Sequence, residues 1–190
     1  MEHIIKQHLE EHLSVASQIE SLKAQIQSIA QTLIQALKDH KTIFWCGNGG
    51  SASDSQHLAG ELIGRFVGDR KPLKSIALNA DSAVMTCIVN DYGYEHIFSR
   101  QVEGLGTKGD VLIGITTSGN SQNVLNAYKT ANEIGMKTIG LLGKGGGKAA
   151  SLVQQSIIVP SNTTARIQEM HILIGHILCD LIEEGLNLKA

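Results

Sequence analysis

The chain has 190 residues, of which 16 are basic and 18 acidic, giving a formal net charge of −2. That length suits one domain able to bury roughly 70% of its unfolded surface. The scattered basic residues argue against an electrostatic nucleic-acid platform, which would show a basic patch or stripe. Cys46, Cys87 and Cys179 are widely spaced in apolar runs and read as small buried hydrophobes of a reducing compartment, not as a disulfide frame. No stretch approaches the ~18 apolar residues of a membrane span. The opening Met1-Glu2-His3-Ile4-Ile5-Lys6 lacks a basic region followed by a long apolar core. A soluble, cytoplasmic protein is expected, without nucleic-acid or membrane partners.

Residues 2–39 carry apolar side chains at helical spacing (Ile4, Ile5, Leu9, Leu13, Ala16, Ile19, Leu22, Ile26, Ile29, Leu33, Leu37), with no glycine to interrupt them. This predicts a long amphipathic region, best divided into two helices. Short strands follow at Thr42 to Cys46, Ser75 to Leu78, Asp110 to Ile115, Lys137 to Leu142 and Gln155 to Val159. Helices are predicted over Ser53 to Arg65, Ser82 to Val89, Ile97 to Leu105, Ser121 to Glu133 and Thr164 to Glu184. Alternating strands and helices predict a doubly wound α/β fold, with a mainly parallel five-stranded sheet flanked by helices and a helical N-terminal extension. Residues 1–190 read as a single domain.

In such sheets ligands bind beyond the carboxyl ends of the strands. Two predicted strands run there into loops of unusual composition, Gly47-Asn48-Gly49-Gly50-Ser51 and Thr116-Thr117-Ser118-Gly119-Asn120-Ser121, and each loop opens a helix. Backbone N–H groups at a helix N-terminus, with nearby hydroxyl donors, bind phosphate. A hydroxyl-rich loop without lysine suits a terminal sugar phosphate better than a triphosphate with magnesium.

His57 and Glu61 are four residues apart in predicted helix, so both side chains leave one face. An imidazole and a carboxylate so spaced can grip one divalent cation. A lone histidine is ordinarily a packing residue, but Glu61 lies amid Leu58, Ala59, Leu62 and Ile63, and a carboxylate is expensive to bury unless paired or metal-bound. In the last helix Gln168, His171 and His176 interrupt an apolar face, with His171 the candidate for plain packing. Asn90-Asp91 before Tyr92-Gly93 reads as an ordinary turn. Gly47-x-Gly49-x-x-Ala52 is a loose dinucleotide fingerprint, set aside because its loop carries extra hydroxyls and Asp69 is a poor ribose acid. Gly143-Lys144-Gly145-Gly146-Gly147-Lys148-Ala149 fails as a nucleotide phosphate loop, since Leu142 stands where the first glycine belongs and Ala149 replaces the magnesium hydroxyl. It reads as a flexible surface turn.

Taken together, Gly47-Asn48-Gly49-Gly50-Ser51-Ala52-x-Asp54-x-Gln56-His57, Glu61-x-x-Gly64-Arg65-Phe66, Asn90-Asp91, Thr117-Ser118-Gly119-Asn120-Ser121 and Arg166-Ile167-Gln168-Glu169-x-His171…His176 resemble the phosphoheptose isomerases of the sugar-isomerase (SIS) domain superfamily. The resemblance runs nearly end to end. It implies conversion of sedoheptulose 7-phosphate to D-glycero-D-manno-heptose 7-phosphate, the entry to the heptose units of bacterial lipopolysaccharide. It implies one zinc ion per subunit held by His57, Glu61, Gln168 and His176, with Glu61 and His176 as the acid–base pair. It also implies phosphate on Thr116, Thr117, Ser118 and Ser121, with Asn48, Gly49, Gly50 and Ser51 on the other side, and substrate contacts at Asn90, Asp91, Glu61 and Gln168. Thr116 stands where many relatives carry serine and keeps the hydroxyl.

The chemistry fits those residues independently. Interconverting a ketose and an aldose needs a base to move a proton between neighbouring carbons and an acid to move protons between their oxygens. Charge on the intermediate enediolate is stabilised by a cation or oriented donors. Glu61 is the candidate carbon base and His176 the candidate oxygen shuttle, and the two roles can be exchanged. Gln168 and His176 are eight residues apart, about 12 Å of rise on one straight helix. Ligand atoms sit about 2.0–2.2 Å from zinc, so the two are expected to come from different subunits. This agrees with the homotetramer and interfacial active sites that the resemblance implies. The alternatives are a non-catalytic SIS-domain protein associating with the replication initiator, and a sugar-phosphate sensor that binds without turnover.

Overall fold

A computed structural model describes residues 1–189. Two helices open the chain, α1 (Glu2–Gln18) and α2 (Lys23–Lys38), joined by a 3-10 turn. Then come β1 (Ile43–Gly47), α3 (Gly50–Ile63), β2 (Ser75–Ala77), α4 (Ser82–Tyr92), α5 (Ser99–Leu105), β3 (Val111–Thr116), α6 (Gln122–Ile134), β4 (Lys137–Leu142), β5 (Gln155–Ile158) and α7 (Thr164–Gly185). The predicted elements are all present, with no end moved by more than three residues. The glycine loop is shorter than expected, because α3 begins at Gly50 itself.

The five strands pair in the order β2-β1-β3-β4-β5, and every pairing is parallel. Side chains alternate across each strand, so one strand feeds two cores. Ile43 and Trp45 of β1 join Val111, Ile113 and Ile115 of β3 in a core closed by α2, α3 and α7. Phe44 and Cys46 point the other way, with Leu112, onto α5 and α6. The Trp45 indole N–H donates to Ser75 Oγ at 2.9 Å, so this buried ring tip is satisfied. The Tyr128 hydroxyl reaches two strand carbonyls, Gly114 O at 2.9 Å and Ile139 O at 3.0 Å, and a Cβ at Gly114 would collide with it.

Of the N-terminal extension, α2 is anchored by buried Ile26, Ile29, Ala30 and Leu33. α1 buries only Val15 and leaves Ile5, Leu9 and Leu13 more than half exposed. Its attachment to α7 is polar: His12 Nδ1 meets Glu169 Oε2 at 2.7 Å, and the Arg166 guanidinium donates to the His8 carbonyl at 2.7 Å. Cys46 and Cys179 are buried as expected, whereas Cys87 is exposed. The apolar run around Cys87 is the mixed surface of α4, in which only Ile88 is buried. Among the described residues no helix is long and apolar enough to cross a membrane.

Candidate active site

The chain leaves β1 toward β2 on one side and later returns to β3 on the other, so their following loops diverge and open a crevice at the carboxyl ends. β1 and β3 are in register up to Gly47 opposite Ile115, which brings the two hydroxyl-rich loops to the mouth of that crevice. Gly47 must lack a side chain: a Cβ there would come within 2.7 Å of Ser51 and 2.8 Å of the Ile115 carbonyl. Gly49 takes a φ of 58°, turning the chain into α3.

No side chain caps the N-terminus of α3 or of α6. Ser121, at the α6 cap position, instead turns its hydroxyl to Thr116 Oγ1 at 3.1 Å, with Ser118 Oγ at 3.5 Å on the other side. The Val124 N–H is taken by Asn123 Oδ1 at 2.9 Å, so the amides of Gln122 and Asn123 are the ones left for an anion beside three clustered hydroxyls. Thr116 is buried and Thr117, Ser118 and Ser121 are half-buried.

The glycine-rich segment after β4 is no flexible surface turn. It packs against the hydroxyl loop: Ala149 N–H donates to Gly119 O at 2.9 Å, and Lys148 N–H to Asn120 Oδ1 at 3.1 Å. Gly145, Gly146 and Gly147 all have positive φ, and Gly146 is buried. A Cβ on Gly119 would strike the Gly146 carbonyl, and one on Gly147 would come within 2.6 Å of the Ser118 carbonyl. The glycines serve close approach of two backbones, a tertiary relation that spacing along the chain does not express.

The Asn48 side chain is taken up by the protein. It exchanges hydrogen bonds with Asn123 (2.9 and 2.8 Å) and accepts one from the Tyr94 hydroxyl at 2.7 Å. It thus ties the glycine loop to α6 and to the segment after α4. Asn90 and Asp91 lie exposed in the last turn of α4, where the Asn90 amide donates to Asp91 Oδ1 at 2.7 Å. They belong to a helix, not to the expected turn, which begins at Gly93 with a φ of 92°.

Further along α3, His57 and Glu61 leave one face, His57 Nε2 lying 3.2 Å from Glu61 Oε1. His176 of α7 meets them: its Nε2 lies 2.9 Å from His57 Nε2, and the ligand atoms of the three residues are all within 4.8 Å of one another. Two imidazoles and a carboxylate make a donor set suited to a catalytic divalent cation, with a coordination position to spare. The Glu61 side chain is 23% exposed and that of His57 50%, so the cluster faces outward and is reachable. Asp54, one turn above His57, has a buried Oδ2 without a partner. Burial raises its pKa, against the pull of His57 and His176.

Gln168 stands apart from this cluster within one chain. α3 and α7 run side by side in the same direction: Gln168 lies against Gly50, where a Cβ would come within 2.5 Å of its Nε2, and Gly175 lies against Leu58. About 12 Å of helix then separates Gln168, at the glycine-loop end, from His176. His171 is a packing residue: fully buried, with its Nε2 3.1 Å from the Leu142 carbonyl, it is pushed by burial down to a pKa of about 4 despite that hydrogen bond.

Sequence reasoning quoted Phe66 only as part of a motif, without a role, and missed Arg70 and Glu183. Phe66 stacks on the His176 ring at 5.5 Å, and a buried Arg70–Glu183 pair (Nε to Oε1 2.7 Å) lies beneath it. A buried carboxylate in an apolar helix is a signal for a partner, but Glu183 sits near the end of α7, where exposure is the usual expectation.

A parallel sheet in this order, with two loops meeting at its switch point, is the architecture of sugar-isomerase (SIS) domains. Residues 7–143 match the family described as SIS domain. The chain is 55% identical over 185 residues to the phosphoheptose isomerase of a Nitratiruptor species, covering 97% of this chain and 99% of that protein. It is 53% identical to a phosphoheptose isomerase of Helicobacter pylori, covering 95% and 94%. Among solved structures, phosphoheptose isomerase from Neisseria gonorrhoeae superposes with a TM-score of 0.92 at 42% identity over 96% of this chain and 98% of that one. The Francisella tularensis enzyme superposes with a TM-score of 0.93 at 36% identity, covering 96% and 97%. The chain therefore belongs to the phosphoheptose isomerase family of SIS-domain proteins. These relatives give no support to the replication-initiator reading.

Proposed function

We propose that the protein is an aldose–ketose isomerase converting D-sedoheptulose 7-phosphate to D-glycero-D-manno-heptose 7-phosphate. The observation that carries this is the meeting of Glu61 and His176, from distant parts of the chain, in one accessible cluster with His57. A scaffold or a sensor needs no such pair.

The open amides of α6, with the hydroxyls of Thr116, Thr117, Ser118 and Ser121, take the phosphate, and the Gly49-Gly50-Ser51 turn closes the other side. Asn48 acts by holding that turn in place. Asn90, Asp91 and Gln168 complete the substrate contacts. Glu61 takes a proton from C1 of the ketose and returns it to C2. His176 gives a proton to O2 and accepts one from O1, so the enediolate passes to the aldose without net change in protons. A carboxylate has two oxygens, so Glu61 can hold a cation with one and move a proton with the other. His57, Glu61 and His176 would hold zinc, with Gln168 supplied by a second copy. When bound, zinc would polarise the two substrate oxygens.

Residues 1–190 act in this reading as one domain, in a homotetramer with active sites at the subunit interfaces. The exposed Ile5, Leu9 and Leu13 of α1, an apolar stripe without a partner in one chain, support that assembly. The enzyme works in the cytoplasm, at the start of heptose supply for the lipopolysaccharide core.

The test is incubation of metal-analysed protein with sedoheptulose 7-phosphate, following the aldose by NMR. Wild type should form product, and Glu61→Gln should bind substrate but turn it over about 10²–10⁴-fold more slowly. No product from folded, metal-loaded wild type would sink the proposal.

A further inference from the structure

His176 is held between two rings. His57 meets it edge-on, with centroids 5.1 Å apart and planes at 61°, and Phe66 stacks on it, with centroids 5.5 Å apart and planes at 29°. Phe66 lies on no regular element; it belongs to the irregular segment between α3 and β2. Such a segment ordinarily moves more than the helices it joins, so a ring borne on it can steady an imidazole only if its backbone is fixed.

Glu183 fixes it. Its Oε1 accepts the Phe66 N–H at 3.0 Å, and its Oε2 accepts those of Val67 at 3.0 Å and Gly68 at 2.9 Å. Arg70 donates Nε to the same carboxylate and sends its other nitrogens to the Glu61 and Leu62 carbonyls, both at 2.9 Å. The side chains of this pair are 1% and 0% exposed. One buried ion pair thus joins the end of α3, which carries Glu61, the Phe66 segment, and α7, which carries His176. Two charges withdrawn from water are costly, and apolar residues of similar volume would often serve stability as well. Four donors converging on one carboxylate serve placement of the segment instead.

We propose that Phe66 is a positioning residue for His176. Its ring, borne on the backbone that Glu183 and Arg70 clamp, sets the rotation of the His176 imidazole so that Nε2 faces His57 and Glu61. Phe66 acts through His176 and touches no reacting atom in the proposed mechanism. The inference rests on the reading of His176 as a metal- and proton-handling group. Partners that orient a ligating histidine are commonly polar; here the orienting contact is a stacked ring, which fixes the plane without drawing on a ring nitrogen.

The experiment compares wild type, Phe66→Ala and Phe66→Tyr. Metal-free protein is titrated with zinc alone against a competing chelator, and kcat and KM for sedoheptulose 7-phosphate are measured separately. Phe66→Ala should weaken zinc binding and lower kcat, each by about 10–100-fold, with KM unchanged. Phe66→Tyr, which keeps the ring, should restore both. Phe66→Ala with wild-type zinc affinity and kcat overturns the proposal. So does a loss confined to melting temperature, or a loss that Phe66→Tyr does not rescue. Zinc affinity is read without substrate, so a wild type that fails to isomerise the sugar overturns the proposed function and leaves the Phe66 comparison standing.

Discussion

The imidazoles of His57 and His176, separated by 119 positions in the chain, meet Nε2 to Nε2 at 2.9 Å. His57 Nε2 also lies 3.2 Å from Glu61 Oε1, so one ring nitrogen faces two partners at once. A neutral imidazole has one N–H and one lone pair, and that nitrogen cannot satisfy both neighbours fully. A shared cation would relieve the crowding by taking a lone pair from each group. Replacing His57 with Ala should leave the fold intact, lower bound zinc below one per chain, and reduce turnover by about 10–100-fold or more. Metal analysis beside the NMR assay reads both, and a fully loaded, fully active His57→Ala protein would remove this residue from the site.

Gly119 has a φ of 64° and faces the Gly146 carbonyl. Gly119→Ala combines a conformation costing about 1–3 kcal/mol in a non-glycine residue with a collision against the segment beneath. The hydroxyl loop should shift and the phosphate suffer first. KM is expected to rise by about tenfold, equivalent to roughly 1.4 kcal/mol, with a parallel loss of inhibition by inorganic phosphate. An unchanged KM in a folded Gly119→Ala protein would count against this loop as the phosphate site.

Stability should fall in acid in two stages. His171 has its pKa lowered from 6.5 to about 4, chiefly by burial, so the unfolded chain takes up a proton that the folded one refuses. Its contribution is complete above pH 6.5 and is lost as pH falls toward 4. For Glu183, burial opposes ionisation, but the N–H groups of Gly68, Phe66 and Val67 and the Arg70 side chain outweigh it and hold the pKa at about 2. That contribution is complete above pH 4.5 and disappears on the way down to 2. Melting temperature against pH should therefore slope through both windows. His171→Phe should flatten the upper one, and Glu183→Gln should flatten the lower one while costing roughly 3–5 kcal/mol, as expected on breaking a buried pair.

Thiol chemistry separates the three cysteines. Burial pushes Cys46 and Cys179 up to about 12, leaving almost no thiolate at neutral pH. Cys87 is exposed on α4. A thiol reagent should label Cys87 in the native protein, and the other two only after denaturation. Rapid native labelling of Cys46 would contradict the packing of β1.

The periodicity of apolar residues sufficed to locate every strand and α-helix, though not the 3-10 turns, because a side chain's face is set by the local geometry of its own element. The positions of the two hydroxyl loops were legible for a related reason: glycines and hydroxyls between a strand and a helix mark turns and helix starts. Reading the stretch after β4 as a loose turn failed because Gly145, Gly146 and Gly147 answer to Gly119, which lies far back in the chain. Asn48 was legible as part of the loop, but its tie to Asn123 and Tyr94 was not.

By itself the sequence determined the α/β alternation, the His57–Glu61 pair on one helical face, and the family to which the chain belongs. These rest on residues near one another or on motifs read in order. Only the tertiary structure decided that His176 joins that pair while Gln168, eight residues earlier, lies beside Gly50. It alone showed that Glu183 clamps the segment bearing Phe66. The reason is physical: which turn of α7 meets which turn of α3 depends on how two helices pack against a shared sheet, and no spacing within either helix encodes that register.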